Sequence, residues 1–294
     1  MFRDHLLDGH KILVTGGGTG LGKSMAGAFM ALGAEVVIWG RRGGVLDEAA
    51  AELAQATGGT CTPMAVDIRN GAGIDDAMAE VFAAGPLTGL VNNAAGNFIS
   101  PTEDLSPNAF NAIAGIVAAG TFNTTVAAGK RWIAGGHKGA IVSIVTTWVW
   151  NGGPFTVPSA MSKAGVAAMT QSLAVEWGRH GIRANAIAPG PFPSKGMSDR
   201  LMPAPLLEKT GGKGAASIPL GRWGELSELD NLAVFLVSGG CDYINGAVIP
   251  IDGGQWLVSG GNFANLTALD ADDWTGIKAA IGATNAADRA ARTA

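Results

Sequence analysis

The segment Thr15–Gly22 reads TGGGTGLG and follows directly on the apolar run Lys11–Thr15. An apolar stretch with helical spacing, residues 25–32, comes next. A glycine-rich turn between a strand and a helix lets backbone N–H groups approach a phosphate, and the helix N-terminus favours the negative charge. The sequence therefore predicts a turn that binds the pyrophosphate of a dinucleotide through Gly16, Gly18, Thr19, Gly20, Leu21 and Gly22.

Short apolar runs rich in β-branched residues recur along the chain, with helix-length segments between them. Continuous apolar character is what a strand needs when helices cover both faces of its sheet. We therefore predict an α/β fold, a Rossmann-type doubly wound parallel sheet of about seven strands in a single domain. The predicted strands are 11–15, 35–39, 64–66, 90–92, 140–145, 183–188 and 247–251, and further helices are predicted over 45–57, 75–84 and 159–177.

The 294-residue chain has no Pro/Ser-rich linker, so we predict one domain over residues 1–258. Segment 191–219 contains five prolines directly after a predicted strand, where open α/β sheets place their ligand crevice. We interpret this segment as a substrate lid. Residues 259–294 are predicted to form a C-terminal tail, with a helix near 271–291.

Composition excludes several classes of partner. The formal net charge of −4 provides no basic field for nucleic acid or an anionic membrane. The two cysteines lack metal-ligand spacing and the four histidines form no spaced pair, so we expect reduced thiols and no metal. Without a signal pattern or an unbroken apolar run of about 18 residues, we expect a soluble, cytoplasmic protein with no membrane partner.

The predicted second strand ends in Trp39-Gly40-Arg41-Arg42, with no acid where an NAD-binding protein usually has one. Two guanidinium groups suit a 2′-phosphate, because the arginine fork matches phosphate oxygens. The predicted cofactor is therefore NADPH, held by Arg41 and Arg42. The alternative is a solvated arginine pair at the start of the next helix.

Several motifs together resemble the short-chain dehydrogenase/reductase family over residues 8–256. They are the spacing Gly16-x-x-x-Gly20-x-Gly22, the NNAAG motif at 92–96 and the PGPF turn at 189–192. A narrower resemblance, to the mitochondrial-type 2,4-dienoyl-CoA reductases, lies in four blocks at 93–103, 157–166, 174–178 and 244–249. In that family NADPH delivers a hydride to the far end of a conjugated dienoyl thioester, and the dienolate is then protonated.

The resemblance implies further cofactor contacts from Asp67 at the adenine, Lys163 at the nicotinamide ribose, and Asn93, Ala94, Gly96, Pro189, Gly190 and Phe192 around the ribose and nicotinamide. Asp67 is alternatively a turn residue after its strand. The acyl-CoA substrate is expected at Asn97, Phe98, Phe155 and Arg200, although Arg200 is alternatively a surface arginine in a loop. The family also implies a homotetramer built through the helices near 106–133 and 159–177.

The expected catalytic group departs from the general family. Ser159 and Lys163 are four residues apart near a helix start, so both side chains lie on one face. Thr146 stands where the family has its catalytic serine. Trp148 stands where the dienoyl-CoA reductases have their active tyrosine, and an indole N–H donates a hydrogen bond but no proton near neutrality. The family's helix asparagine falls at Ala119.

Three functions fit this sequence. The first is an NADPH-dependent reductase of a conjugated alkene, above all a 2,4-dienoyl-CoA or related unsaturated acyl-CoA. The second is an NADPH reductase of another enone, carbonyl or imine. The third is a non-catalytic NADPH-binding assembly subunit. The single tyrosine, Tyr243, is expected to serve packing rather than catalysis.

Overall fold

A computed structural model of the chain describes residues 1–97, 99–193, 214–258, 272 and 275. Seven parallel strands form one sheet in the order β3-β2-β1-β4-β5-β6-β7. The strands are β1 Lys11–Thr15, β2 Glu35–Gly40, β3 Cys61–Ala65, β4 Gly89–Asn92, β5 Gly139–Ile144, β6 Ile182–Pro189 and β7 Val248–Ile251. The predicted doubly wound parallel sheet is confirmed.

Helices connect successive strands. In the described ranges they are α1 Gly20–Ala31, α2 Gly43–Thr57, α3 Gly71–Ala83, α4 Pro107–Ala114, α5 Thr121–Gly135, α6 Trp148–Asn151, α7 Val157–Trp177, α8 Leu226–Val237 and α9 Gln255–Val258. A π-helical turn, Gly115–Gly120, joins α4 to α5. Single 3-10 turns lie at Thr102–Asp104, Gly178–His180, Gly214–Ser217 and Gly239–Cys241.

The predicted starts of three elements were wrong. α1 begins at Gly20 rather than at residue 25. β3 begins at Cys61 rather than at residue 64, and it includes Pro63. Proline lacks the N–H that an inner strand must donate, but β3 lies at the edge of the sheet, where this N–H is dispensable. α3 begins at Gly71 rather than at residue 75, because the Asn70 side chain caps the helix by accepting from the Gly73 N–H at 3.2 Å. The other strand bounds agree to within one residue.

The sheet separates two apolar layers. Ile12 and Val14 of β1 face the layer that contains Phe29 of α1, whereas Leu13 faces the layer of α3 and α5. Successive side chains of a strand point to opposite faces, so a strand covered by helices on both sides is apolar throughout. All five residues of β1 are accordingly buried.

Trp132 of α5 anchors the second layer. Its side chain is fully buried, and its indole Nε1 donates to the Leu87 carbonyl at 2.6 Å. Gly139 lies directly against the ring, since a Cβ there would stand 2.7 Å from the indole. The start of β5 and the end of α5 are thereby packed at van der Waals distance.

The stretch Pro107–Gly135 is helical throughout and combines α4, the π turn and α5. By length and composition alone it would also suit a membrane span, which is weak evidence, since core helices of soluble proteins pass the same test. Half of its most apolar window is buried inside the fold. The two cysteines are free thiols, Cys61 half-buried and Cys241 buried.

Residues 257–294 cluster as a unit separate from residues 1–256. The structure describes only Leu257, Val258, Asp272 and Thr275 of this second unit, so the predicted tail helix near 271–291 lies outside the described residues. Residues 194–213, most of the predicted lid, also lie outside them. The predicted boundary after residue 258 stays a prediction.

Candidate cofactor and active site

The glycine-rich turn between β1 and α1 adopts a conformation that glycine favours. Gly16 and Gly20 have φ values of +68° and +55°, which side-chain-bearing residues rarely adopt. A Cβ at Gly16 would also lie 2.9 Å from the Ala94 Cα. The end of β4 therefore approaches this turn at backbone distance.

Asn93 fastens the turn from the neighbouring strand. Its Nδ2 donates to the carbonyls of Thr15 at 3.0 Å and Gly16 at 3.3 Å. The Thr15 hydroxyl accepts in return from the backbone N–H groups of Asn93 and Ala94, each at 3.0 Å. Gly22 completes the arrangement, because a Cβ there would lie 2.4 Å from the Gly16 oxygen and 2.5 Å from Asn93 Nδ2. Asn93 and Gly22 thus shape the turn from behind.

A cleft of about 800 Å³ opens above this turn at the carboxyl edge of the sheet. Nine of the predicted cofactor residues line it: Gly16, Gly18, Thr19, Leu21, Arg41, Arg42, Asp67, Asn93 and Ala94. Its volume is that of a small-molecule site, roughly 300–1,000 Å³. The backbone cradle, the volume and the arginines fit a dinucleotide.

Sequence analysis missed eight residues that also line the cleft. They are Trp39, Gly40, Val45, Leu46, Val66, Ile68, Ala95 and Ile116. Val66 and Ile68 flank Asp67, so their position beside a strand end was an available signal. Ile116 carried no such signal, because it reaches the cleft from the π turn.

Two exposed arginines stand at one end of the cleft. Neither Arg41 nor Arg42 makes a hydrogen bond or ion pair with the described residues. Asp67 is engaged by Arg69, whose Nε donates to both carboxylate oxygens at 3.0 Å. The hydrogen bond from Arg69 holds the pKa of Asp67 below its ordinary value, and the charge of Arg41 adds a smaller effect. The arginine pair therefore presents positive charge with unused donors to the cleft.

Ser159 and Lys163 lie one turn apart on α7, and both are buried. The Lys163 ammonium donates to the Ile144 carbonyl at the end of β5. Burial lowers the pKa of Lys163 to about 8. The Ser159 hydroxyl makes no hydrogen bond with the described residues, and its backbone N–H donates to the Thr156 carbonyl at 3.0 Å.

Contacts connect α6 with the start of α7. Thr146 follows the end of β5 by two residues and is half-buried, and Trp148 opens α6. A Cβ at Gly153 would lie 2.9 Å from the Trp148 ring and 2.5 Å from the Thr156 hydroxyl. The four predicted catalytic residues therefore belong to elements that meet where β5 ends.

The predicted substrate residues are partly described. Phe155 is 60% exposed and has a φ of +61°, and its carbonyl accepts from the Ser100 N–H at 2.9 Å. This bond holds Phe155 beside the segment that begins with the half-buried Asn97. Phe98 and Arg200 lie outside the described residues.

Three predicted cofactor residues follow the end of β6. Pro189 ends the strand, and the Gly190 N–H donates to the Ile251 carbonyl at 3.0 Å. The Phe192 side chain is buried and packs against Gly224, where a Cβ would stand 2.4 Å from the ring. Phe192 thus turns its ring into the core, and only its backbone remains for the predicted contact.

The structure also places three other residues that the sequence analysis singled out. Gly96 packs against Ile113 and Ile116 rather than lining the cleft. Ala119 lies in the π turn and is exposed, so the turn forms without the family's asparagine. The expectation that Tyr243 serves packing was wrong, since its side chain is fully exposed, in a segment that precedes an edge strand.

A glycine turn between β1 and α1, a cleft at the carboxyl edge and a buried lysine beside β5 define a nucleotide-binding α/β oxidoreductase. A family model described as Enoyl-(Acyl carrier protein) reductase matches residues 16–255. A probable 2,4-dienoyl-CoA reductase of Caenorhabditis elegans is 42% identical over 286 residues, 96% of this chain and 92% of that protein. One of Bacillus subtilis is 43% identical over 248 residues, 84% of this chain and 96% of that protein.

Solved structures of dehydrogenases also match this chain. A short chain dehydrogenase from Bacillus anthracis matches with a TM-score of 0.78 and 43% identity, covering 85% of this chain and 97% of that one. A putative 2-deoxy-D-gluconate 3-dehydrogenase from Agrobacterium tumefaciens with bound NADP matches with a TM-score of 0.78 and 32% identity, covering 87% and 100%. The chain belongs to the short-chain dehydrogenase/reductase family, whose members are NAD(P)-dependent oxidoreductases.

Proposed function

We propose that this protein is an NADPH-dependent reductase of a conjugated alkene, with a 2,4-dienoyl-CoA or a related unsaturated acyl-CoA as substrate. The observation that carries the proposal is that the dinucleotide cleft and the buried Ser159–Lys163 pair occur in the same chain. Two relatives of this chain, 42% and 43% identical to it, are each named a probable 2,4-dienoyl-CoA reductase. We further propose a cytoplasmic homotetramer, on the family resemblance.

The choice of NADPH over NADH rests on Arg41 and Arg42. Their guanidinium groups have unused donors at the end of the cleft, and the described residues lining the cleft offer no free carboxylate there, since Asp67 is paired with Arg69. A 2′-phosphate would receive charge-assisted hydrogen bonds from such a pair. A bare 2′-hydroxyl would leave both guanidinium groups without a partner.

The chemistry suits a site without a phenol. NADPH supplies a hydride when bound, and conjugation already activates the alkene to receive it. The protein then has to stabilise the oxygen of the resulting dienolate, for which preorganised donors are the effective device. The unpartnered Ser159 hydroxyl and the indole N–H of Trp148 are the donors that we assign to this oxygen.

The assay is the loss of NADPH absorbance in the presence of 2,4-hexadienoyl-CoA, with NADPH fluorescence as a control for cofactor binding. Ser159→Ala should lower kcat by about 10²–10³, the usual cost of one oxyanion donor. Ser162→Ala is the matched control, because this neighbouring buried hydroxyl already donates to the Pro158 carbonyl at 2.7 Å. Unchanged turnover in Ser159→Ala would contradict the role given to Ser159.

Trp148 and Ala119 stand where the dienoyl-CoA reductases have a tyrosine and an asparagine. The loss of these two side chains favours a second candidate, a non-catalytic NADPH-binding subunit. Tight NADPH binding without turnover of any dienoyl-CoA, enone, carbonyl or imine would support this candidate. Turnover of an enone, carbonyl or imine without turnover of acyl-CoA would instead indicate a reductase of that other substrate class.

A further inference from the structure

Trp150 and Trp256 stack on each other although they lie far apart in the chain. Their ring centroids are 4.6 Å apart, and the ring planes are inclined by 29°. Trp150 belongs to α6, the short helix that begins at Trp148, and Trp256 belongs to α9, which follows β7. Aromatic rings at this separation attract each other beyond the area that they bury. The stack therefore fastens α6 to the chain at the end of β7.

The position of α6 depends on contacts outside the helix. It spans only Trp148–Asn151, and a helix this short is not stable by itself. The backbone hydrogen bond that closes it is local, from the Gly152 N–H to the Trp148 carbonyl at 2.9 Å. Such a bond shapes a turn but does not fix where the turn lies relative to the sheet. Beyond this turn, α6 packs against α7, and Trp150 packs against Trp256.

Trp256 is itself held by a buried carboxylate. Asp252 follows β7, and its Oδ2 accepts from the Trp256 N–H at 2.7 Å while its Oδ1 accepts from the Gly254 N–H at 2.9 Å. Gly190 lies against the same residue, since a Cβ there would stand 2.6 Å from the Asp252 Cβ. The turn that carries Trp256 thus contacts both the loop predicted to lie beside the nicotinamide and the helix that begins at Trp148.

We propose that Trp256 is a positioning residue of this reductase, which acts through Trp150 on the direction of the Trp148 indole N–H. This role rests on the proposed function, in which that N–H donates to the dienolate oxygen. A donor is effective when it already points at the position of the developing charge, and a displacement of about 1 Å can lower a rate about 100-fold. Loss of the stack should therefore slow the chemical step and leave the binding of cofactor and substrate nearly unchanged.

The kinetic test compares Trp256→Ala and Trp256→Phe with the wild type, using NADPH and 2,4-hexadienoyl-CoA. Trp256→Ala should lower kcat by about 10- to 100-fold, with the KM for the acyl-CoA and the Kd of NADPH within about threefold of the wild-type values. Trp256→Phe keeps a ring that can stack on Trp150, so it should recover kcat to within about fivefold of the wild type. Leu257→Ala is the matched control, because this neighbouring side chain of α9 is 64% exposed, and it should change none of these constants.

A double-mutant cycle separates positioning from a general structural effect. Trp148→Phe removes the indole N–H and keeps an aromatic ring. In that background Trp256→Ala should lower kcat by less than about threefold more, because no donor is left to misdirect. Losses that simply multiply would show that Trp256 acts independently of Trp148, contrary to the assigned role.

A measurement without turnover reports the stack itself. Two indoles this close and inclined to each other should give an exciton couplet in the far-ultraviolet circular dichroism of the wild type. The couplet should vanish in Trp256→Ala and persist in Leu257→Ala, and its absence from the wild type would overturn the role of Trp256. If the couplet is present but the wild type reduces no dienoyl-CoA, the proposed function fails and the role of Trp256 fails with it. An active enzyme in which Trp256→Ala keeps the wild-type kcat overturns the role of Trp256 alone.

Discussion

Gly22→Ala is the substitution that most directly tests the construction of the cofactor turn. The added methyl carbon would lie 2.4 Å from the Gly16 carbonyl oxygen and 2.5 Å from Asn93 Nδ2, distances at which something must move. Moving Asn93 breaks its two hydrogen bonds, to the Thr15 and Gly16 carbonyls. Each such bond contributes a net 0.5–1.5 kcal/mol, so the free energy of unfolding should fall by about 1–3 kcal/mol.

The helix propensity of alanine opposes this loss by at most about 1 kcal/mol. The larger effect falls on the ligand, because the displaced turn no longer presents its N–H groups to the pyrophosphate. We expect the affinity for NADPH to drop more than about tenfold, which corresponds to 1.4 kcal/mol. Urea unfolding followed by tryptophan fluorescence measures the stability, and NADPH fluorescence titration measures the affinity.

Gly165→Ala is the matched control. Gly165 lies inside α7, and a Cβ added there would meet no atom within 4 Å. Helix propensity should raise the free energy of unfolding of this variant by roughly 0.5–1 kcal/mol, and its affinity for NADPH should not change. If the free energy of unfolding of Gly22→Ala lies within about 0.5 kcal/mol of the wild-type value and its NADPH affinity is the same, the assigned role of the turn is refuted.

Three further predictions follow from other parts of the structure. Replacing Arg41 or Arg42 with alanine should weaken NADPH by about 10- to 100-fold and leave NADH nearly unchanged, in parallel fluorescence titrations; equal losses for both cofactors would contradict a 2′-phosphate contact. Trp132→Phe should cost about 2–4 kcal/mol in urea unfolding, because it leaves a buried carbonyl unpaired and opens a cavity, and a loss below 1 kcal/mol would exclude that anchor. Burial raises the pKa of Asp230 to about 6, so the folded protein binds this proton more tightly than the unfolded chain does. The free energy of unfolding should therefore fall as the pH rises from about 4 through 6. Thermal melts of Asp230→Asn should lack this fall.

Regular elements of the fold were predictable because their pattern is local. A strand covered on both faces must be apolar throughout, which identified six strands to within one residue. β3 was the exception, since Pro63 suggests a strand break unless the strand is known to lie at an edge. Edge position depends on the order of all seven strands, and no local pattern reports that order.

The candidate site was predictable to a similar degree. The glycines and arginines that line the cleft stand at strand ends, and parallel strands bring their carboxyl ends together at one edge. Ile116 and the inward ring of Phe192 were not predictable, because each depends on which helix or turn packs against it. The 4.6 Å stack of Trp150 on Trp256 is a similar case, since it joins residues far apart in the chain.

By itself the sequence determined that a glycine-rich turn follows the first strand and that an arginine pair follows the second. Glycines stand at 16, 20 and 22 between the first strand and its helix, and two arginines with no acid beside them follow the second strand. The tertiary structure alone decided which polar groups are buried. Lys163 is an ordinary lysine of a helix until β5, the π turn and α6 bury it against the Ile144 carbonyl, and this burial lowers the pKa of its ammonium to about 8.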